Sequence, residues 1–77
     1  MTRRAFRWSP SRMAELEAAV AARRRVALMR RGTEYVVVAH SLRTRGRTEV
    51  LVGRVPMTGE DLEFALPEIE AFQVVAG

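Results

Sequence analysis

The 77-residue sequence contains no cysteine and a single histidine, His40. Without cysteine, disulfide bonds and thiolate metal sites are excluded, so a metal site would have to be built mainly from carboxylates. The sequence also lacks HExxH spacing, the pattern of a serine-histidine-aspartate triad, a phosphate-binding glycine loop and a nucleotide fingerprint. A lone histidine at the end of an apolar strand is expected to be a hydrogen-bonded structural residue. We therefore predict that the protein is not an enzyme and needs no cofactor.

Long apolar segments are missing as well. Stretches such as Val36 to Ala39 are far shorter than the roughly 20 residues that cross a bilayer, and Met1 to Pro10 has no apolar core of a signal peptide. These features predict a cytoplasmic protein without a membrane partner. At about 0.05–0.15 kcal/mol per residue, a single domain of this size has a stability of only about 4–11 kcal/mol. Homo-oligomerisation therefore remains possible.

Lysine is absent too, and arginine supplies all 13 basic side chains. Residues 1–47 contain 12 arginines and three glutamates, a balance of +9, whereas residues 48–77 contain one arginine and six carboxylates, a balance of −5. Such polarity indicates a charged partner, usually nucleic acid or an anionic surface. Codon bias in a GC-rich genome is the alternative explanation for the amount of arginine, but it does not explain where the arginines lie.

The first half of the chain predicts a short arm followed by a helix. Residues 1–8 have no helical or strand period and predict a flexible basic arm, whereas residues 9–77 predict a single domain. Ser9 and Pro10 are typical of a helix start. Apolar residues recur at three and four positions from Met13 through Leu16 to Val20, so we expect a helix at about 10–22 that buries this stripe.

Beyond residue 25 the hydrophobic pattern alternates, which is typical of strands. We expect five strands, near residues 25–31, 34–41, 48–55, 62–66 and 69–75. Gly32-Thr33 predicts a tight turn, residues 42–47 a polar loop, and Gly53 a bend or bulge. Short strands without a crossover helix predict a strongly bent, five-stranded antiparallel barrel, with the helix covering one open end.

This order of elements resembles the Sm-like (SH3-like) small barrels of the bacterial Hfq and Rof type and, more distantly, WYL-type domains. The similarity lies in a basic residue before glycine and in three short segments: Arg31-Gly32, Ala39-His40-Ser41-Leu42, Glu49-Val50-Leu51-Val52 and Leu66 to Phe72. The resemblance implies a small barrel that binds RNA or a protein of transcription. The sequence departs from Hfq at Pro67-Glu68, where Hfq has Lys-His, so the uridine pocket of Hfq does not carry over. Rof-type proteins are acidic inhibitors of the termination factor Rho, whereas the first half of this chain is basic.

Arginines alternate around Gly46 at Arg43, Arg45 and Arg47, and in an extended segment they would project together toward successive phosphates. An ordinary solvated loop is the alternative. Further candidates for nucleic-acid binding fall into three groups: Arg23 and Arg24 at the helix end; Arg30 and Arg31 at the first hairpin; and Arg3, Arg4, Arg7 and Trp8 in the arm. Trp8 could stack on a base, or it could pack against the helix start as a hydrophobic staple.

We therefore predict a small nucleic-acid-binding module, with RNA or single strands as its partner and little sequence discrimination. The alternative is a protein-interaction adaptor of the Rof type, or a self-assembling Sm-like ring in which the oppositely charged halves meet between subunits.

Overall fold

The structure is a computed structural model that describes residues 8–75. One helix, α1 (Pro10–Ala21), precedes five strands: β1 (Arg25–Arg30), β2 (Thr33–Arg45), β3 (Thr48–Arg54), β4 (Asp61–Ala65) and β5 (Ile69–Val74). A single turn of 3-10 helix, Leu66–Glu68, joins β4 to β5. No helix within residues 8–75 is both long enough and apolar enough to cross a membrane. The prediction of a mainly β fold with one N-terminal helix and five antiparallel strands is confirmed.

All five strands form one antiparallel sheet in the order β4-β3-β2-β1-β5. In a flat sheet the two edge strands would lie about 19 Å apart, because neighbouring strands are separated by about 4.8 Å. The three residues between β4 and β5 can span only about 14 Å. The sheet must therefore be strongly curved. It is not closed, however, so the predicted barrel is not confirmed.

The longest strand is β2, which has 13 residues and joins the two parts of the curved sheet. Its first half pairs with β1 and its second half with β3, and the register shifts between Ala39 and Ser41, so that His40 is the extra residue of a bulge. The predicted polar loop at 42–47 is wrong, because the ladder to β3 continues to the Arg45–Thr48 pair. The connection has only two residues, Gly46 and Arg47, and the φ of +62° at Gly46 fits the first position of a type II′ turn.

The hairpin between β1 and β2 has a two-residue turn, as predicted, but the turn lies one residue earlier. Arg30 pairs with Thr33, so Arg31 and Gly32 form the two-residue turn. Their φ values of +52° and +75° are those of a type I′ turn, whose twist matches that of the flanking strands. The glycine explains why the turn forms here, one residue earlier than the sequence pattern indicated.

The core lies between α1 and the inner face of the sheet. Its buried residues are Leu16 and Ala19 from the helix, together with Val26, Leu28, Val37, Ala39, Leu51, Phe64, Leu66, Ile69 and Phe72. Within the predicted helical stripe, Leu16 is buried, whereas Met13 and Val20 are only partly buried against the core. Gly53 is also buried, and a Cβ added there would lie 2.5 Å from the Cγ2 atom of Val37. Glycine is therefore required at this position because β2 and its side chains approach β3 so closely.

Both ends of α1 are capped. The Ser9 hydroxyl accepts a hydrogen bond from the backbone N–H of Arg12 at 3.2 Å. At the other end, the N–H of Arg23 donates to Val20 and the N–H of Arg24 donates to Ala19, which is the Schellman arrangement. This geometry places Arg23 in the left-handed region, at φ +53°. Glycine normally occupies this position, since it has no Cβ to clash there.

Replacing Arg23 by glycine is therefore expected to stabilise the fold by about 0.5–1 kcal/mol, as judged by urea unfolding. The matched control is Arg23→Ala, which removes the same charge but keeps a Cβ, and should give no gain. A loss of stability in Arg23→Gly would contradict the assignment of the cap.

Candidate nucleic-acid interface

Cross-strand pairing brings four arginines onto the outer face of the sheet, on the side away from the core. Val38 pairs with Arg25 on one side and with Arg54 on the other, and directly paired residues of antiparallel strands point to the same face. Along β3, side chains alternate, so Val50 shares this face with Arg54. Arg43 pairs with Val50, and Arg45 follows Arg43 by two residues in β2. We call this set the outer arginine face; its members are Arg25, Arg43, Arg45 and Arg54.

Two carboxylates of β4 lie on the same surface and pair with two of the four arginines. The Arg54 Nε donates to Asp61 Oδ1 at 2.9 Å. Both the Nε and the Nη2 of Arg45 donate to the carboxylate of Glu63, with an Nε to Oε1 distance of 3.0 Å. Since β3 lies between β2 and β4, the bridge between Arg45 and Glu63 spans β3.

These hydrogen bonds lower the pKa values of both carboxyl groups. The hydrogen bond from Arg54 lowers the pKa of Asp61, and the hydrogen bond from Arg45 lowers the pKa of Glu63. The positive charge of Arg43 lowers the pKa of both carboxyls as well, although Arg43 forms no ion pair with either. Arg43 thus lies close enough to both acids for its field to act on them.

Acidification is expected to destabilise the fold through these two groups. Their pKa values are lower in the folded protein than in the unfolded chain, so the unfolded state binds protons first as the pH falls. The stabilisation is present above the ordinary carboxyl range near pH 4, and it decreases as the pH falls through that range and below it. Thermal unfolding from pH 6 to pH 3 measures the loss. The double variant Asp61→Asn with Glu63→Gln should show a flatter pH dependence, and an unchanged slope would contradict this origin.

Two members of the outer arginine face have no ion pair in the described part of the chain. Arg25 and Arg43 lie more than 4 Å from any carboxylate oxygen among residues 8–75, and the same holds for Arg47 in the adjoining turn. All three are exposed. The four arginines and the two acids of β4 together carry a net charge of +2. Arg47 adds a positive charge at the margin, and Glu34, which pairs with Met29 toward the far end of β1 and so lies on the same face, adds a negative one.

The guanidinium of Arg30, in contrast, is held by contacts within the protein. Its Nη1 donates to the Glu63 carbonyl at 3.1 Å, and its Nη2 donates to the Tyr35 hydroxyl at 3.3 Å. The guanidinium also lies over the rings of Tyr35 and Phe64, at 5.2 and 4.8 Å from their centroids. These contacts give Arg30 a structural role, tying the end of β1 to β4.

The remaining candidates are dispersed. Arg31 lies in the first hairpin turn, with its Nη2 3.5 Å from Glu68. Arg23 caps the helix, and Arg24 lines a groove of about 310 Å³ between α1 and β5. Arg25 and Arg30 lie five residues apart in β1, so their side chains point to opposite faces of the sheet, and the arginines of the helix end and those of the first hairpin do not form one patch.

Trp8, the last residue of the predicted arm, packs against the domain. Its indole N–H donates to the Leu66 carbonyl at 2.8 Å, and its ring stacks on Phe72 with a centroid separation of 5.1 Å. It thus ties the start of α1 to the last two elements of the chain. The other candidates of the arm, Arg3, Arg4 and Arg7, lie outside the described residues.

Two participants were not among the predicted site residues. Arg25 and Arg54 join the face because each pairs with Val38, a relation that depends on strand register. The alternation of Val50, Val52 and Arg54 could have predicted the face to which Arg54 points, but it could not have predicted which residues of the adjacent strands lie beside it. His40 also differs from expectation: its Nδ1 and the Ser41 Oγ are buried without a hydrogen-bond partner in the described part of the chain.

Residues 8–75 contain no cluster of three or more histidine, aspartate or glutamate side chains that could hold a metal ion. Asp61 and Glu63 are instead engaged by arginine. Comparison of the chain with protein-family models, curated proteins and solved structures gives no match. The Sm-like affiliation therefore stays a prediction.

Proposed function

We propose that this protein is a small non-catalytic nucleic-acid-binding module that holds RNA or single strands on the outer arginine face. The observation that carries the proposal is that Arg25 and Arg43, both exposed and without an ion pair among residues 8–75, lie on the same face of the sheet as Arg45 and Arg54. Guanidinium groups bind phosphate oxygens through two parallel N–H donors, which suits them to a phosphate backbone.

The two internal ion pairs are compatible with such binding. Ion pairs between exposed side chains contribute only about 0–1 kcal/mol each, so a phosphate can displace a carboxylate from Arg45 or Arg54. Arg43 and Arg45 are two residues apart on one strand, which places their Cα atoms about 7 Å apart. Phosphate contacts of this kind position a strand without reading its bases, so we expect weak sequence discrimination.

The direct test is a binding titration with single-stranded oligo-dT and oligo-U at several salt concentrations. For three to five phosphate contacts, log K should fall against log salt with a slope of about −2.1 to −3.5. Absence of measurable binding to both strands at about 50 mM salt would overturn the proposal.

A second candidate is a protein-interaction module, either an adaptor of the Rof type or a self-assembling ring. The observation that favours it is that β4 and β5 are the edges of the sheet and each pairs on one side only among residues 8–75. Exposed strand edges can pair with another chain. Light scattering separates the two candidate functions: a ring that does not respond to nucleic acid favours the protein-interaction module, and a monomer that binds RNA favours the nucleic-acid-binding module.

We propose in addition that the curved sheet is of the Sm-like barrel type, which its strand order and the short link between β4 and β5 support.

A further inference from the structure

A groove of about 330 Å³ lies at the β2–β3 turn, where the core side of the sheet meets the start of α1. Its apolar part is formed by Trp8, Met13, Leu66 and Pro67, and its polar part includes Arg47 and Glu49. Ligand sites have volumes upward of about 300 Å³, so the groove is large enough for one small ring system. It is mostly apolar with a few polar groups at one side, as such sites generally are.

The aromatic wall of this groove is held in place. The indole N–H of Trp8 is bonded to the Leu66 carbonyl, and the ring stacks on Phe72, which is buried. A side chain fixed by these contacts loses little conformational entropy when a ligand binds beside it. The wall is therefore suited to contact with a flat ring.

The polar side of the groove contains a positive charge, on Arg47, and a hydrogen-bond acceptor, the carboxylate of Glu49, which are not paired with each other. Arg47 and Glu49 flank Thr48 at the start of β3, yet no ion pair joins them. Both are exposed. Arg47 also follows Arg45 by two residues, whereas Glu49 and the apolar wall lie on the core side of the sheet, so a strand bound on the outer arginine face would reach the groove by passing over the β2–β3 turn.

We propose that this groove seats one unpaired nucleobase of the strand bound on the outer arginine face, an inference that rests on the proposed function. Trp8 and Met13 contact the base, Arg47 binds an adjacent phosphate, and the Glu49 carboxylate accepts a hydrogen bond from an exocyclic amine. A carboxylate can only accept hydrogen bonds, so the site favours bases that present an amino group, such as cytosine, over thymine and uracil. A base in a duplex is stacked and paired and cannot enter, which makes the site specific for single strands.

Trp8 is the only tryptophan, so its fluorescence reports on the groove directly. The probes are oligo-dC, oligo-dT and an abasic strand of the same length, each titrated into the full chain. We expect oligo-dC to change the fluorescence of Trp8 and to bind about 5- to 100-fold more tightly than the abasic strand, the range measured for stacking of one base.

The outcomes separate this inference from the proposed function. Equal salt-dependent binding of all three strands, with no change in fluorescence, would overturn the base site and leave the phosphate-binding function intact. No binding of any strand would overturn both. If a proline-rich peptide changes the fluorescence while the oligonucleotides do not, the groove is a peptide site and the proposal is wrong.

Two variants test the polar side without touching the core. Glu49→Ala should lower the ratio of oligo-dC affinity to oligo-dT affinity by roughly 5- to 10-fold, because the acceptor is lost. Arg47→Gln should weaken both strands and reduce the salt slope by about 0.7. The matched control is Glu60→Ala, since Glu60 is an exposed acid that does not line the groove. An unchanged ratio in Glu49→Ala would contradict the role of the carboxylate.

Discussion

Replacing Arg25, Arg43 and Arg47 together by glutamine is expected to weaken binding to single-stranded oligo-dT by about 100-fold near 0.1 M salt. Each phosphate contact contributes a factor of about 5 at this salt concentration, because log K depends on log salt with a slope of about −0.7 per contact. These three arginines have no ion pair with a carboxylate in the described part of the chain, so their loss is not offset by release of an internal partner. Fluorescence anisotropy across a salt series measures both the affinity and the slope, which should become shallower by about 2.

The control for this prediction removes arginines that lie away from the face. Arg23 caps the helix, and Arg31 lies at the far end of β1 beside Glu68. The double variant Arg23→Gln with Arg31→Gln should change affinity by less than about 3-fold, apart from the general effect of net charge. If the control double variant and the triple variant lose affinity equally per charge removed, binding follows net charge alone and the outer arginine face has no special role.

Gly53→Ala is expected to destabilise the protein by about 2–3 kcal/mol, the upper part of the range for overpacking a core. The added Cβ would lie 2.5 Å from Val37 Cγ2, 2.9 Å from Val37 Cβ and 3.4 Å from the Phe64 ring. Val37 and Phe64 are both fully buried, so neither can move into solvent. A loss of this size is a large part of the stability of about 4–11 kcal/mol expected for 77 residues. Urea unfolding measures it.

A double-mutant cycle shows whether the loss has this origin. Val37→Ala removes the atom nearest the new Cβ, so the double variant should be more stable than the sum of the two single losses predicts. Strictly additive losses would show that the destabilisation arises elsewhere. Far-UV circular dichroism of each variant at low temperature establishes that the folded state is still formed.

Much of the secondary structure could be predicted from local pattern. The Ser9-Pro10 start, the helical stripe around Leu16 and the alternation in β1 identify their elements because their signals depend only on neighbours in sequence. The incorrect prediction of a loop at residues 42–47 also arises because it depended on local sequence alone. Arginine, threonine and glycine are typical of a loop, but the ladder to β3 extends the strand to Arg45, and a tertiary partner outweighs local preference.

The sequence by itself determined that the chain is polarised, with its arginines concentrated in the first half, because charge balance requires no knowledge of contacts. Only the tertiary structure decided which arginines share one face of the sheet. Strand register brings Arg25 and Arg54 to the two sides of Val38, and the bulge at His40 restores Arg43 to the same surface. Packing likewise assigns Arg30 to the aromatic rings and Arg45 to Glu63. Register and bulges depend on residues far apart in the chain, so composition and spacing do not reveal them.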